Sequence, residues 1–257
     1  MSDPSGDAPG DAGGAPIRWQ VVADGAALAD AGAALVREAA HAAVAERGRF
    51  VLALAGGTTP QALYARLAGA PAAGGGAGAA RDAAPFPWHA TVLAFGDERC
   101  VPPDHPASNH RMVAEALLRH LDTPTLAVLR IPGELGPARA AAEYERTLRG
   151  ALGDGAAAFD VALLGVGADG HTASLFPGDA ALAVRGARVA AVPAPPPDAP
   201  HPRVTLTLEC LCAARGVLAL VEGARKGAVV AAVRAATPAG RALPAARVRG
   251  RAWTRWL

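Results

Sequence analysis

The chain has 257 residues, 51% apolar and 19% charged, with a formal net charge of +2 and aromatic residues at 4%. That is a globular balance with enough length for a sizeable core, and its scattered arginines argue against a nucleic-acid surface. Cys100, Cys210 and Cys212 include no C-x-x-C pair, which argues against a disulfide framework or structural zinc and for reduced thiols in a cytoplasmic setting.

Residues 1–16 are rich in Gly, Ala, Pro and Asp, lack the regions of a secretory signal, and read as a flexible leader. No stretch has the uninterrupted apolar length of a membrane span. A strand is predicted over 17–23 and an alanine-rich helix over 26–47, stopped at Gly48. The run 50–55 is continuously apolar, as in a strand covered on both faces. Gly56-Gly57-Thr58-Thr59-Pro60 breaks it, and a helix resumes over 61–67. Residues 70–87 form a low-complexity Ala/Gly/Pro stretch, expected as a surface insertion.

Further strands are predicted over 91–95, 125–130, 159–164, 187–192, 203–208 and 217–221, with helices over 109–120, 137–149 and 223–234. Trp253 and Trp256 close the chain in a last short strand, as core plugs. Strands alternating with helices predict an α/β fold: a mostly parallel, Rossmann-like sheet with helices on both faces, in a single domain over 17–257.

In such a sheet ligands bind where strands end, so residues just past the strands are the candidates for chemistry. Asp169-Gly170-His171 follows the strand at 159–164, and a histidine there can accept a proton from water near neutral pH. Gly56, Gly57, Thr58 and Thr59 have two readings: an anion cradle of backbone N–H groups and hydroxyls at a helix start, or a plain strand–helix turn. The spacing matches neither a P-loop nor a dinucleotide fingerprint. Asp97, Glu98 and Arg99 follow another strand, facing a crevice or pairing among themselves, and Ser108 is read as the cap of the helix that carries Asn109. Lys226 opens a helix, which suits a nearby anion or a solvated side chain, and Arg203 opens a strand from which it can reach the same anion.

Together these segments resemble the 6-phosphogluconolactonase family, a branch of the glucosamine-6-phosphate isomerase/6-phosphogluconolactonase superfamily. The blocks that carry the resemblance are 54–60, 95–102, 108–112, 160–178, 203–208 and 221–226, in the family's order, so nearly all of the folded part is covered. Asp-Gly-His-Thr-Ala-Ser-Leu-Phe-Pro and Asp-Glu-Arg are its most specific motifs. Two departures occur: His110 stands in place of a tyrosine, and Glu209-Cys210 replaces a proline.

The resemblance implies hydrolysis of 6-phosphoglucono-1,5-lactone to 6-phosphogluconate, the second step of the oxidative pentose phosphate route, with no metal or organic cofactor. The partner is then a small sugar-phosphate lactone, with no nucleic acid and no membrane, and the chain a monomer or weak homo-oligomer. It makes His171 the general base, Asp169 its orienting carboxylate, and Arg99 the stabiliser of the developing oxyanion or the holder of sugar oxygens. Asp97 and Asn109 shape the sugar site, while Gly57, Thr58, Thr59, Lys226 and Arg203 hold the phosphate. A deaminase or isomerase of the same superfamily is the nearest alternative. That branch carries a glutamate five residues after the histidine, where this chain has Phe176. A non-catalytic sugar-phosphate sensor is the other, but residues 1–16 are too short for a DNA-binding module.

Overall fold

The computed structural model describes residues 14–69, 85–123, 126–154, 159–197 and 199–257. In chain order the elements are β1 (Ile17–Trp19), α1 (Gly25–Arg47), β2 (Phe50–Leu54), α2 (Thr59–Leu67), β3 (Thr91–Phe95), β4 (Asp97–Arg99), α3 (Asn109–Ala116), β5 (Ala127–Leu129) and α4 (Pro137–Leu152). Then follow β6 (Val161–Gly165), β7 (Val189–Val192), β8 (Arg203–Leu206), α5 (Leu208–Cys212), β9 (Gly216–Leu220), α6 (Gly227–Arg234), α7 (Pro238–Ala242), α8 (Pro244–Arg247) and β10 (Trp253–Trp256).

Seven strands pair in parallel in the order β1-β10-β9-β6-β2-β3-β5. Every residue of β2 and β9 is buried, which explains why these strands read as unbroken apolar runs rather than alternating ones. The α/β, mostly parallel class is as expected, with helices on both faces. From β2 the chain proceeds outward through β3 and β5, and from β6 it proceeds the other way through β9 and β10. The direction therefore reverses between β2 and β6, and the crevice beyond their C-terminal ends is where an open sheet takes its ligand.

A second, three-stranded antiparallel sheet, β4-β8-β7, was not anticipated. Its strands are three to four residues long, and the predicted run 203–208 is divided: Thr207 stops the strand by accepting the Cys210 N–H (3.1 Å), which caps α5. The predicted helix 109–120 likewise ends at Ala116, and a 3-10 turn continues over Leu118–His120. The first strand covers only Ile17–Trp19, and Asp24 caps α1 by accepting the Ala27 N–H (2.8 Å). Gly48 ends α1 in a left-handed conformation, φ 73°. Trp256 is buried and packs on Trp19, ring centroids 4.9 Å apart, as a core plug should. Most of the Ala/Gly/Pro stretch lies outside the described residues. Phe86, at its end, is buried against Phe50 and Trp88 rather than on the surface. No helix among the described residues is long and apolar enough to cross a membrane.

Two tyrosines fix the strand ends that border the crevice. The Tyr64 hydroxyl from α2 accepts the Ala55 N–H (2.9 Å) and donates to the Ala55 carbonyl (2.7 Å). Tyr144 from α4 does the same at Phe95, at 2.8 and 2.9 Å. Both side chains are fully buried, and burial pushes both phenols well above their ordinary range, so they stay neutral donors. Tyr144→Phe strands a buried N–H and a buried carbonyl. The expected loss is about 1–3 kcal/mol in urea unfolding, more than removing a hydroxyl from a solvated phenol would cost.

Candidate active site

A cavity of about 490 Å³ opens at the reversal point, over Leu54 at the end of β2 and Ala55 after it, Gly96 after β3, Leu164 to Val166 at the end of β6, and Leu220 at the end of β9. All eleven candidates from the sequence line it: Gly56, Gly57, Thr58, Thr59, Asp97, Arg99, Asn109, Asp169, His171, Arg203 and Lys226.

The turn after β6 is held by its own backbone. Gly167 N–H donates to the His171 carbonyl (2.8 Å), Gly170 N–H to the Gly167 carbonyl (3.0 Å), and the Thr172 hydroxyl to the Gly165 carbonyl (2.8 Å). The His171 ring then lies against Gly167: a Cβ there would sit 2.1 Å from Nδ1 and 2.4 Å from an Asp169 oxygen, so only glycine admits the pair. His171 Nδ1 is 2.6 Å from Asp169 Oδ1, and the same oxygen accepts the His171 backbone N–H (3.1 Å). An ionised carboxylate only accepts, so this pairing suits the neutral tautomer with its proton on Nδ1 and its lone pair on Nε2. The imidazole is 34% exposed and packs against the Phe176 ring at a tilt of 47°, centroids 4.8 Å apart. It is open to solvent on one side and oriented on the other.

Thr58 and Thr59 stand at the start of α2, but neither hydroxyl caps the helix, and the N-cap position, Thr58, is helical in conformation. The plain-turn reading rested on such a cap. Thr58, Thr59 and Pro60 at the start of α2 border the cavity. Gly56 is covered by Asn109, whose amide atoms would meet a Cβ at 2.2–2.5 Å. Lys226 lies in a 3-10 turn over Ala224–Lys226 rather than inside the predicted helix, and its ammonium donates to the Val166 carbonyl. Burial draws its pKa below the ordinary lysine value, opposed by Asp169 and aided by Arg225.

The opposite wall comes from the second sheet. In the register of β4 and β8, Arg99 stands across from Arg203. Arg203 donates from Nε to the His201 carbonyl (3.1 Å), and its pKa is drawn down by burial first and by Arg99 next. Arg99 donates from one terminal nitrogen to the Ala107 carbonyl, while its buried Nε has no hydrogen-bond partner among the described residues. Two guanidinium groups thus share one wall. Arg203 is beside Arg99, a proximity that no spacing in the sequence indicated.

Asp97 is more engaged than expected. Its carboxylate accepts the Ser174 hydroxyl (2.6 Å) and the Asn109 amide (3.2 Å), and Asn109 also donates to the Asp97 carbonyl (2.9 Å). Sequence reasoning passed over Ser174, and read Glu98 only as a charge facing a crevice or pairing with its neighbours. Both are buried and polar, and both lie within the specific motifs, which was the available signal. His110, the departure from tyrosine, packs on Phe95 with centroids 5.9 Å apart, and burial lowers its pKa. It does not line the cavity.

The profile of the family described as glucosamine-6-phosphate isomerases/6-phosphogluconolactonase matches residues 23–256. A 6-phosphogluconolactonase of Nostoc is 34% identical over 242 residues, covering 93% of each chain, and that of Rattus norvegicus is 42% identical over 221 residues, covering 84% of this chain and 80% of the rat protein. The crystal structure of 6-phosphogluconolactonase from Thermotoga maritima superposes with a TM-score of 0.77 at 31% identity, over 94% of this chain and 98% of that one. With the parallel sheet, the crevice and the motifs in place, the chain belongs to the glucosamine-6-phosphate isomerase/6-phosphogluconolactonase family, among its 6-phosphogluconolactonases.

Proposed function

We propose that the cavity hydrolyses 6-phosphoglucono-1,5-lactone to 6-phosphogluconate, with His171 as general base. The observation that carries this reading is the Asp169–His171 pair, 2.6 Å apart, in one cavity with the α2 N-terminus and Lys226. A δ-lactone is an activated ester. Its hydrolysis needs a base for water, a positive environment for the carbonyl oxygen, and a grip on the remote phosphate.

Water attacks C1 and gives its proton to His171 Nε2. Asp169 favours the resulting imidazolium through Nδ1. The carbonyl oxygen becomes an oxyanion against the Arg99 guanidinium. As the tetrahedral centre collapses, the C1–O5 bond breaks and the ring oxygen takes the proton back from His171, so protons balance over the cycle. The amides of Gly57 to Thr59 and the Lys226 ammonium take the phosphate, whose binding positions C1 over the imidazole. Arg203 reinforces the positive wall beside Arg99.

Phe176 favours the lactonase over a sugar-phosphate isomerase. An aromatic ring lies against His171 where ring opening would call for a carboxylate. The test is proton release from freshly generated lactone, with glucosamine 6-phosphate and ammonia detection in parallel. Acceleration of the first and none of the second is expected; ammonia release would overturn the proposal. Lys226→Ala is expected to raise KM about 10–100-fold, the worth of one charge-assisted hydrogen bond, with a smaller change in kcat. Initial rates against lactone concentration separate the two.

A further inference from the structure

Beside the cavity, but not lining it, lies the most heavily hydrogen-bonded carboxylate in the described structure. Glu98 is 2% exposed and ionisable. Its Oε1 accepts the backbone N–H of Arg99 (2.8 Å) and of Asn109 (2.7 Å), and its Oε2 accepts the Ser108 hydroxyl (3.0 Å) and the His110 N–H (2.7 Å). Two of the four donors are first-turn N–H groups of α3, which have no partner within the helix, and a third is the hydroxyl of its N-cap residue. A carboxylate offers about four lone-pair sites, so this one is filled.

The consequence reaches both ends of the cavity. Asn109, the first residue of α3, covers Gly56 on the cradle side and donates to Asp97 on the other. Arg99, adjacent to Glu98 in β4, carries the guanidinium of the positive wall. We propose that Glu98 is a positioning residue: by binding the start of α3 to β4 it sets the distance between the phosphate cradle, through Asn109, and the oxyanion wall, through Arg99. Ser108 and the first N–H groups of α3 supply the donors that make this buried charge tolerable. Burial raises the Glu98 pKa, and the three backbone N–H donors oppose that rise.

This inference rests on the lactonase reading above. Glu98→Gln keeps the shape but places an amide NH2 group against backbone N–H donors, which must then separate. Displacements of about 1 Å at this distance cost on the order of 10²-fold in rate. The expected result for kcat/KM on the phosphorylated lactone is therefore a loss of about 10–100-fold.

The discriminating readout is the ratio of kcat/KM for 6-phosphoglucono-1,5-lactone to that for unphosphorylated glucono-1,5-lactone. It is expected to fall about tenfold in Glu98→Gln, because only the phosphorylated substrate spans both ends. A residue that merely stabilised the fold would lower Tm and leave that ratio alone. Ser108→Ala removes one of the four donors, keeps the other three, and is expected to lower the ratio about 2–5-fold, so a failure of Glu98→Gln to fold still leaves the proposal exposed to test. A folded Glu98→Gln, or failing that Ser108→Ala, with the wild-type ratio overturns it. Should the wild-type chain fail to hydrolyse the lactone, the reading of the site falls instead. The affinity for 6-phosphogluconate, which spans both ends, against that for inorganic phosphate, which does not, then decides for Glu98: weakening of the first alone by about tenfold in the same variant supports the positioning role, and an unchanged ratio of the two affinities overturns it.

Discussion

His171→Ala is expected to lower kcat for the lactone by about 10²–10⁴-fold, with KM changed little. That range is the worth of a positioned general base, about 2.7–5.4 kcal/mol of barrier. The side chain borders the cavity and carries none of its framework. The hydrogen bonds that shape the turn run through the His171 backbone, to Gly167 and Asp169, and survive truncation. The loss should therefore appear in turnover and not in Tm. Asp169→Asn is expected to fall part of the way, because an amide in that place can hold the imidazole in the wrong tautomer. Stopped-flow proton release, corrected for spontaneous opening of the lactone, measures both. Near-wild-type turnover in His171→Ala would remove the histidine from the mechanism.

Arg99→Ala is expected to lower kcat by about 10²–10³-fold, the usual cost of deleting a donor aimed at a developing oxyanion. The geometry makes this more than a charge count. Arg99 and Arg203 stand opposite each other on β4 and β8, and burial together with Arg99 already depresses the Arg203 pKa. Removal of Arg99 relieves that repulsion but leaves one guanidinium anchored on the His201 carbonyl. If Arg203 could substitute fully, kcat would hardly move, and the measured kcat of Arg99→Ala decides between the two. Arg203→Ala provides the comparison: a larger effect on KM than on kcat would place Arg203 with the phosphate after all.

The elements that the sequence made legible are those with a local signature. The short apolar runs of β2, β3, β6 and β9 read as strands covered on both faces, and Gly48 and Ser108 marked a helix end and a helix start where the structure has them. The eleven candidate residues were also legible, because ten of them lie just past a strand or at a helix start and Arg203 opens a strand, and all of them line the cavity. The second sheet was not. β7 and β8 fall within predicted strands, but β4 is three residues long, too short for a two-residue period to declare itself, and it pairs with β8 across about a hundred residues of chain.

The sequence by itself determined the α/β class, the turns that present Asp169, His171 and the Gly56–Thr59 loop, and the family motifs, since turn chemistry and strand burial are written in consecutive residues. Only the tertiary structure decided which of these groups meet: Arg99 with Arg203, Ser174 with Asp97, Asn109 over Gly56, and four donors around Glu98. Such meetings depend on strand order and register, which are set by how whole faces pack and hydrogen-bond across the chain, and no local pattern encodes that choice.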